Sequence, residues 1–183
     1  MPQFVAYNNK VEVNGQTIQS FIKGVTPQFR QKVIQILANN GISNPEKLKW
    51  YNQQEWLNAF KQIYDTIGSH TLFSIGKAIP DSATFPENIV SLRDALQSID
   101  IAYHNNHKGG EIGYYRLTKF NELERKAMMV CKNPYPCPFD RGIITSIVRK
   151  FKPVDSLNHE VELDKSSPDK LDDEESRTYL ISW

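Results

Sequence analysis

Cysteine, net charge and long apolar runs are all scarce in this chain. With two cysteines in 183 residues it is no disulfide-stapled scaffold. A formal net charge of +1 supplies no field toward DNA, RNA or an anionic membrane, so nucleic-acid binding is not expected. No apolar run approaches the roughly 18 residues of a membrane span, and no basic start precedes an apolar stretch. The expectation is a cytoplasmic protein without signal peptide or membrane insertion. Recognisable catalytic patterns are missing too. Serine-nucleophile motifs, a Cys-x-x-Cys-His haem attachment and paired carboxylates do not occur. Gly109-Gly110-Glu111-Ile112-Gly113 lacks the spacing and lysine of a phosphate loop and follows a helix rather than a strand, which makes it a helix stop and hairpin entry. Glu122 and Glu124 beside Arg125 and Lys126 read as a solvated strand edge. An enzyme is the least favoured class.

What is present is a globular composition, 23% charged and 11% aromatic, of a length that fits one domain with a substantial core. Residues 4–13 alternate loosely and read as an extended pair with Asn8-Asn9 at the turn, and Asn14-Gly15 signals a second turn. Thr17 is placed to cap a short helix over Ile18, Phe21 and Ile22. Pro27 opens a second helix that Gly41 closes. A long helix is predicted from Gln53 to Ile75 on the period of Trp56, Leu57, Phe60, Ile63, Tyr64, Ile67 and Phe73, with Gly68 as a bend or close approach. Pro80 and Pro86 bracket a loop. Ile89, Leu92, Leu96, Ile99 and Tyr103 define the next helix. The period then changes to strands over 111–117 and 123–131, with Asn121 near the turn. Ile143, Ile144, Ile147, Val148 and Phe151 mark one more helix. Strands over 159–163 and 177–183 flank a polar, acidic segment, 164–176, read as a solvated hairpin loop. The predicted class is α+β. A helical N-terminal half, about 14–104, packs on a C-terminal antiparallel sheet with an inserted helix, about 110–183, all one sensory or adaptor domain over 1–183.

The segment Cys131 to Gly142, with two cysteines and Pro134, Pro136 and Pro138, concentrates the most information. Its prolines stiffen the entry to a helix. A zinc site needs about four ligands. Here Cys131 and Cys137 have only His104, His107, His159 and carboxylates near Asp164 and Asp172–Glu175 to complete one, so ordinary thiols, a disulfide, a redox role and a structural metal all stay open. His70, among apolar helical residues, is either a haem axial ligand or a packed or surface histidine. His104 and His107 sit in a turn-like stretch as metal contacts or exposed loop histidines. Tyr64, Phe73, Tyr114, Met128, Tyr135, Phe139 and Ile143 are candidates to line a ligand pocket between the long helices and the sheet, against the alternative of plain core packing.

Cys137-Pro138-Phe139-Asp140-Arg141-Gly142, followed by Ile143 to Val148, together with the ending Arg177-Thr178-Tyr179-Leu180-Ile181-Ser182-Trp183, resembles the vinyl-4-reductase-type small-molecule-binding domain. That family shares its core with TRAPP vesicle-tethering subunits, and related domains precede histidine kinases, cyclases and transcriptional activators in bacterial sensors. The stretch from Val13 through the long helix resembles the helical lead-in of such sensors. Family members often carry zinc-holding cysteines about where Asp164 or Lys165 and Arg177 stand here, so the departure leaves Cys131 and Cys137 without obvious partners. The resemblance implies a sensor module, with its effector removed or encoded separately.

The function expected from these readings is a ligand-sensing regulatory domain. It binds a small apolar or aromatic molecule and signals through a homodimer or effector contact. Alternatives are a non-catalytic protein-interaction scaffold and a haem-based gas sensor. Haem and zinc are the cofactors considered.

Overall fold

The computed structural model describes residues 3–81, 86, 89–165 and 176–183. The acidic segment 166–175, with Asp172–Glu175, residues 82–85 of the loop between Pro80 and Pro86, and residues 87–88 beyond it lie outside the described residues.

The chain runs β1 (Glu12–Asn14), α1 (Gly15–Gly24), α2 (Pro27–Asn39), β2 (Trp50–Asn52), α3 (Gln53–Thr66), α4 (Ser69–Ala78), a 3-10 turn (Ile79–Asp81) and α5 (Leu92–Asn105). It continues with β3 (His107–Lys108), β4 (Tyr114–Asn121), β5 (Lys126–Lys132), α6 (Cys137–Phe151), β6 (Glu160–Leu163) and β7 (Arg177–Ser182). The predicted α+β class holds. A three-stranded antiparallel sheet, β2-β1-β3, ties the two halves together. The C-terminal half carries the antiparallel sheet β4-β5-β7-β6, with α6 inserted between β5 and β6.

Several local readings are corrected. Residues 4–13 form no hairpin of their own. Only Glu12–Asn14 is a strand, paired with Trp50–Asn52 and with His107–Lys108, partners too distant in sequence for a local pattern to reveal. Asn14 caps α1, accepting from the Thr17 backbone N–H at 2.8 Å. The helix therefore starts before Thr17, whose hydroxyl joins the cap instead. The long helix predicted from Gln53 to Ile75 is two helices. It breaks at Gly68, whose φ of 109° only glycine adopts readily. The last helix starts earlier than its apolar period suggests, because Pro138 takes a first-turn position where its missing N–H costs nothing.

The joint between the halves is the crossing of α4 with α6. A Cβ on Gly76 would lie 2.2 Å from the Phe139 carbonyl oxygen, and one on Gly142 would lie 2.3 Å from the Phe73 carbonyl oxygen. Two glycines, one on each helix, let the backbones touch. Around this joint the interior is aromatic. Phe21 packs at a tilt on Trp56 at 4.4 Å between ring centroids, Trp56 meets Phe60 at 4.9 Å, and Phe60 meets Phe139 at 4.9 Å and Tyr135 at 5.4 Å.

Candidate functional site

Three buried features converge where the helical half meets α5, β4 and α6. The first is a void of about 40 Å³, walled by Thr17, Trp56, Ile99, Tyr103, Asn106, His107, Tyr115, Tyr135, Phe139 and Ile143 among others. That space suits two or three waters at roughly 10–15 Å³ each. It is far below the roughly 300–1,000 Å³ of a site for a drug-sized ligand.

The second feature is a polar cluster set into this wall. His107 follows α5, and its ring is fixed at both ends. Nδ1 lies 2.8 Å from the Tyr103 carbonyl oxygen and Nε2 lies 2.7 Å from the Tyr135 hydroxyl. The carbonyl can only accept, so Nδ1 carries the proton and Nε2 accepts from Tyr135. Burial pushes the His107 pKa from 6.5 down to about 4, only partly opposed by the Tyr103 carbonyl, so the ring is neutral at pH 7. Burial likewise raises the Tyr135 phenol, which stays protonated. Gln53 reaches the same hydroxyl at 3.4 Å. The Trp56 indole, fully buried one turn along α3, also acts on that hydroxyl and opposes the effect of burial on its pKa, while among the described residues Gln53 Oε1 has no hydrogen-bond partner. Unpaired buried polar atoms cost stability unless something satisfies them.

The third feature is a buried ion pair that fastens the proline loop. The Asp140 carboxylate, with no exposed surface, accepts from the Tyr115 hydroxyl at 2.6 Å and from Asn133 Nδ2 at 3.3 Å, and Arg177 Nη2 lies 3.3 Å away. Arg177 also donates to the Tyr135 carbonyl at 2.6 Å and the Asn133 carbonyl at 2.7 Å. Burial lifts the Asp140 pKa from 3.8 to about 6, against the pull of Arg177, Tyr115 and Asn133. Burial works against the Arg177 charge, but Asp140 outweighs it and its pKa is raised. Strand β7 is thereby locked to the loop that delivers Tyr135 and Phe139 to the void.

Of the residues nominated from sequence, Tyr135, Phe139 and Ile143 meet at the void. The other four lie elsewhere. Tyr64 is 42% exposed on α3 against Phe4. Phe73 sits under Lys77 and Arg141. Tyr114 faces Arg116, and Met128 lies on the outer face of the sheet. His70 is exposed in the first turn of α4, away from the void. Cys131 and Cys137 are free thiols. Cys131 is fully buried and its pKa is pushed up by burial, while Cys137 is half-buried and accepts from Gln3 at 3.1 Å. Among the described residues no group of three or more His, Cys, Asp or Glu side chains is arranged to hold a metal ion.

The residues that sequence reasoning passed over are His107, Trp56, Gln53, Tyr103, Asp140 and Arg177. His107 looked like one of two loop histidines; it is 8% exposed, while His104 is 51% exposed at its side chain. Asp140 and Arg177 both stood in the motifs singled out, but nothing in a linear sequence pairs positions so far apart.

No protein-family profile matches this chain, and no curated protein matches it in sequence. Solved structures match its fold. An H-NOX protein from S. oneidensis in the Fe(II) ligation state superimposes with a TM-score of 0.66 at 10% identity, over 92% of this chain and 95% of that one. A protein studied for how porphyrin distortion modulates haem redox potential gives 0.64 at 13%, over 93% and 94%. An oxygen-binding H-NOX domain related to soluble guanylate cyclases gives 0.62 at 13%, over 92% of each chain. The fold is therefore that of H-NOX domains, and the resemblance to the vinyl-4-reductase and TRAPP-like group is corrected.

One of these proteins of like fold is a haem protein, and haem makes definite demands on a site: a free axial donor and room for a macrocycle. His107 offers one favourable feature: an imidazole neutral at pH 7, oriented by a backbone carbonyl, as metal-ligating histidines are. The space does not agree. Tyr135 covers Nε2, and the void of about 40 Å³ has no room for a macrocycle. As these side chains are arranged, they do not fit haem.

Proposed function

We propose that this chain is a ligand-sensing domain on the H-NOX fold, with the void between its halves as the sensing site. The observation that carries the reading is the buried void itself, with Trp56, His107 and Tyr135 in its wall. It sits where α1, α3, α5 and α6 all converge. An occupant there would bear on the α4–α6 crossing and on the Tyr135 loop together, and a protein partner would read the change.

Of the occupants weighed from the sequence, haem linked to gas sensing has the support of the fold neighbours. An apolar or aromatic compound has only the lining of the void in its favour. The haem reading requires the His107–Tyr135 contact to part and the halves to separate. A bare interaction scaffold is the third option.

The test combines native mass spectrometry, iron content and an absorption spectrum on protein made in haem-replete cells, with His107→Ala alongside. A one-to-one haem whose spectrum changes in His107→Ala establishes the gas-sensor reading. A retained non-haem mass, or a compound that raises the melting temperature, establishes haem-free sensing. No retained mass, no haem uptake and no thermal response across a compound panel refute sensing and leave the scaffold.

A further inference from the structure

We propose that the outer face of the C-terminal sheet is a self-recognition surface, built to pair with a second copy of this chain around a two-fold axis parallel to the strands. The argument is independent of what occupies the void.

Alternation divides the sheet cleanly. Ala127, Met129, Val161, Tyr179 and Ile181 point inward and are buried. The opposite face is left to Lys119, Lys126, Met128, Leu180, Glu160 and Glu162, which line one open groove. Register orders these side chains across the sheet. Lys119 is opposite Met128, Met128 opposite Leu180, and Leu180 opposite Glu162. One row therefore reads lysine, methionine, leucine, glutamate from β4 to β6. The next row reads Asn121, Lys126, Ser182, Glu160. The face carries lysine along β4 and β5, with Glu124 beside Lys126 at their turn, and is apolar in the middle and acidic along β6. Lys126 leans toward Glu124 at 4.0 Å, but among the described residues Lys119, Glu160 and Glu162 have no ion pair. Leu180 is 41% exposed at the centre.

Such a gradient is self-complementary in one orientation only. When two sheets face each other across a two-fold axis running along the strands, the lysine edge of each copy lies over the glutamate edge of the other. Lys119 then meets Glu162, Met128 meets Leu180, and Lys126 comes beside Glu160. An axis running across the strands would set lysine over lysine. Aligned sheets pack about 10 Å apart, within reach of these side chains, and a two-fold contact is the commonest way for a chain to recognise itself. A four-stranded face is smaller than the roughly 800 Å² per partner of a standard stable interface. The dimer is accordingly weak and concentration-dependent.

The test is sedimentation equilibrium of the full chain, up to about 1 mM to cover weak association, in low and high salt. Three samples are compared: wild type, Lys119→Glu with Lys126→Glu, and Glu160→Lys with Glu162→Lys. These positions are exposed, so the variants keep the wild-type circular dichroism. Wild type self-associates, more weakly in salt. Each charge-reversed variant alone dissociates at least about 10-fold more readily, and an equimolar mixture of the two regains association. A wild type that stays monomeric throughout overturns the proposal. So do variants that dimerise like wild type, or weakened variants that fail to rescue each other.

Discussion

Replacing His107 with glutamine should change how stability depends on pH, in a direction opposite to that of Asp140→Asn. In the unfolded chain His107 takes its proton near 6.5, but in the fold only near 4. Between those values the unfolded chain holds more protons, so stability rises with pH. This contribution is complete above pH 6.5 and is lost as pH falls toward 4. Asp140 works the other way. It ionises near 3.8 when unfolded and near 6 when folded. Over that window the folded chain holds the extra proton, and stability falls as pH rises. At about 1.4 kcal/mol per pH unit, each effect amounts to about 3 kcal/mol. In the wild type the two nearly cancel between pH 4 and 6. Urea denaturation of wild type and both variants at half-unit steps from pH 4 to 7.5 separates them. Measured against wild type, His107→Gln gains about 3 kcal/mol as pH falls from 6.5 to 4, while Asp140→Asn loses about as much between pH 6 and 4. Any constant offset reports lost contacts; the slopes report the protons. Two difference curves flat with pH would refute the claim that both groups titrate inside the fold.

Removing the guanidinium with Arg177→Leu strands a buried carboxylate. It should cost about 3–5 kcal/mol at neutral pH, and adding Asp140→Asn should recover part of it in chemical denaturation; equal stability of the single and double variants would speak against the pairing. Gly142→Ala drives a methyl to 2.3 Å from a backbone carbonyl that has no side chain to move aside. A loss of about 3 kcal/mol is expected, with increased hydrogen exchange in α4 and α6, and an unchanged melting curve would mean the helices do not cross this closely.

The sequence was legible where the physics is local. The apolar periods of 89–103 and 143–151 located α5 and α6, although Ile89 lies before the Ser91 cap that starts α5. Prolines and glycines marked the ends of α2, and alternation identified β4, β5, β6 and β7. The break at Gly68 was visible as an interruption, but not as a change of direction, because only its φ of 109° makes it one. The site was hardly legible. Tyr135, Phe139 and Ile143 were within reach because they sit on one short stretch. The four other candidates lie apart from the void, three of them half-buried, since a local pattern does not say which distant neighbour a side chain meets. His107 read as a loop histidine because its burial comes from Tyr135, 28 residues further on.

Composition and patterning by themselves determined an α+β fold, helical first and sheet-rich last, and among the described residues no helix is long and apolar enough to cross a membrane. Hydrophobic period and turn chemistry act over a few residues, and those statements need nothing more. Tertiary structure alone decided that β1 is shared between β2 and β3, that Gly76 and Gly142 bring two helices into backbone contact, and that Asp140 is held by Arg177. It also decided that the order of the strands lays lysine on one edge of a sheet and glutamate on the other. Each of these joins residues tens of positions apart, and their energies come from burial and distance, which exist only once the chain has folded.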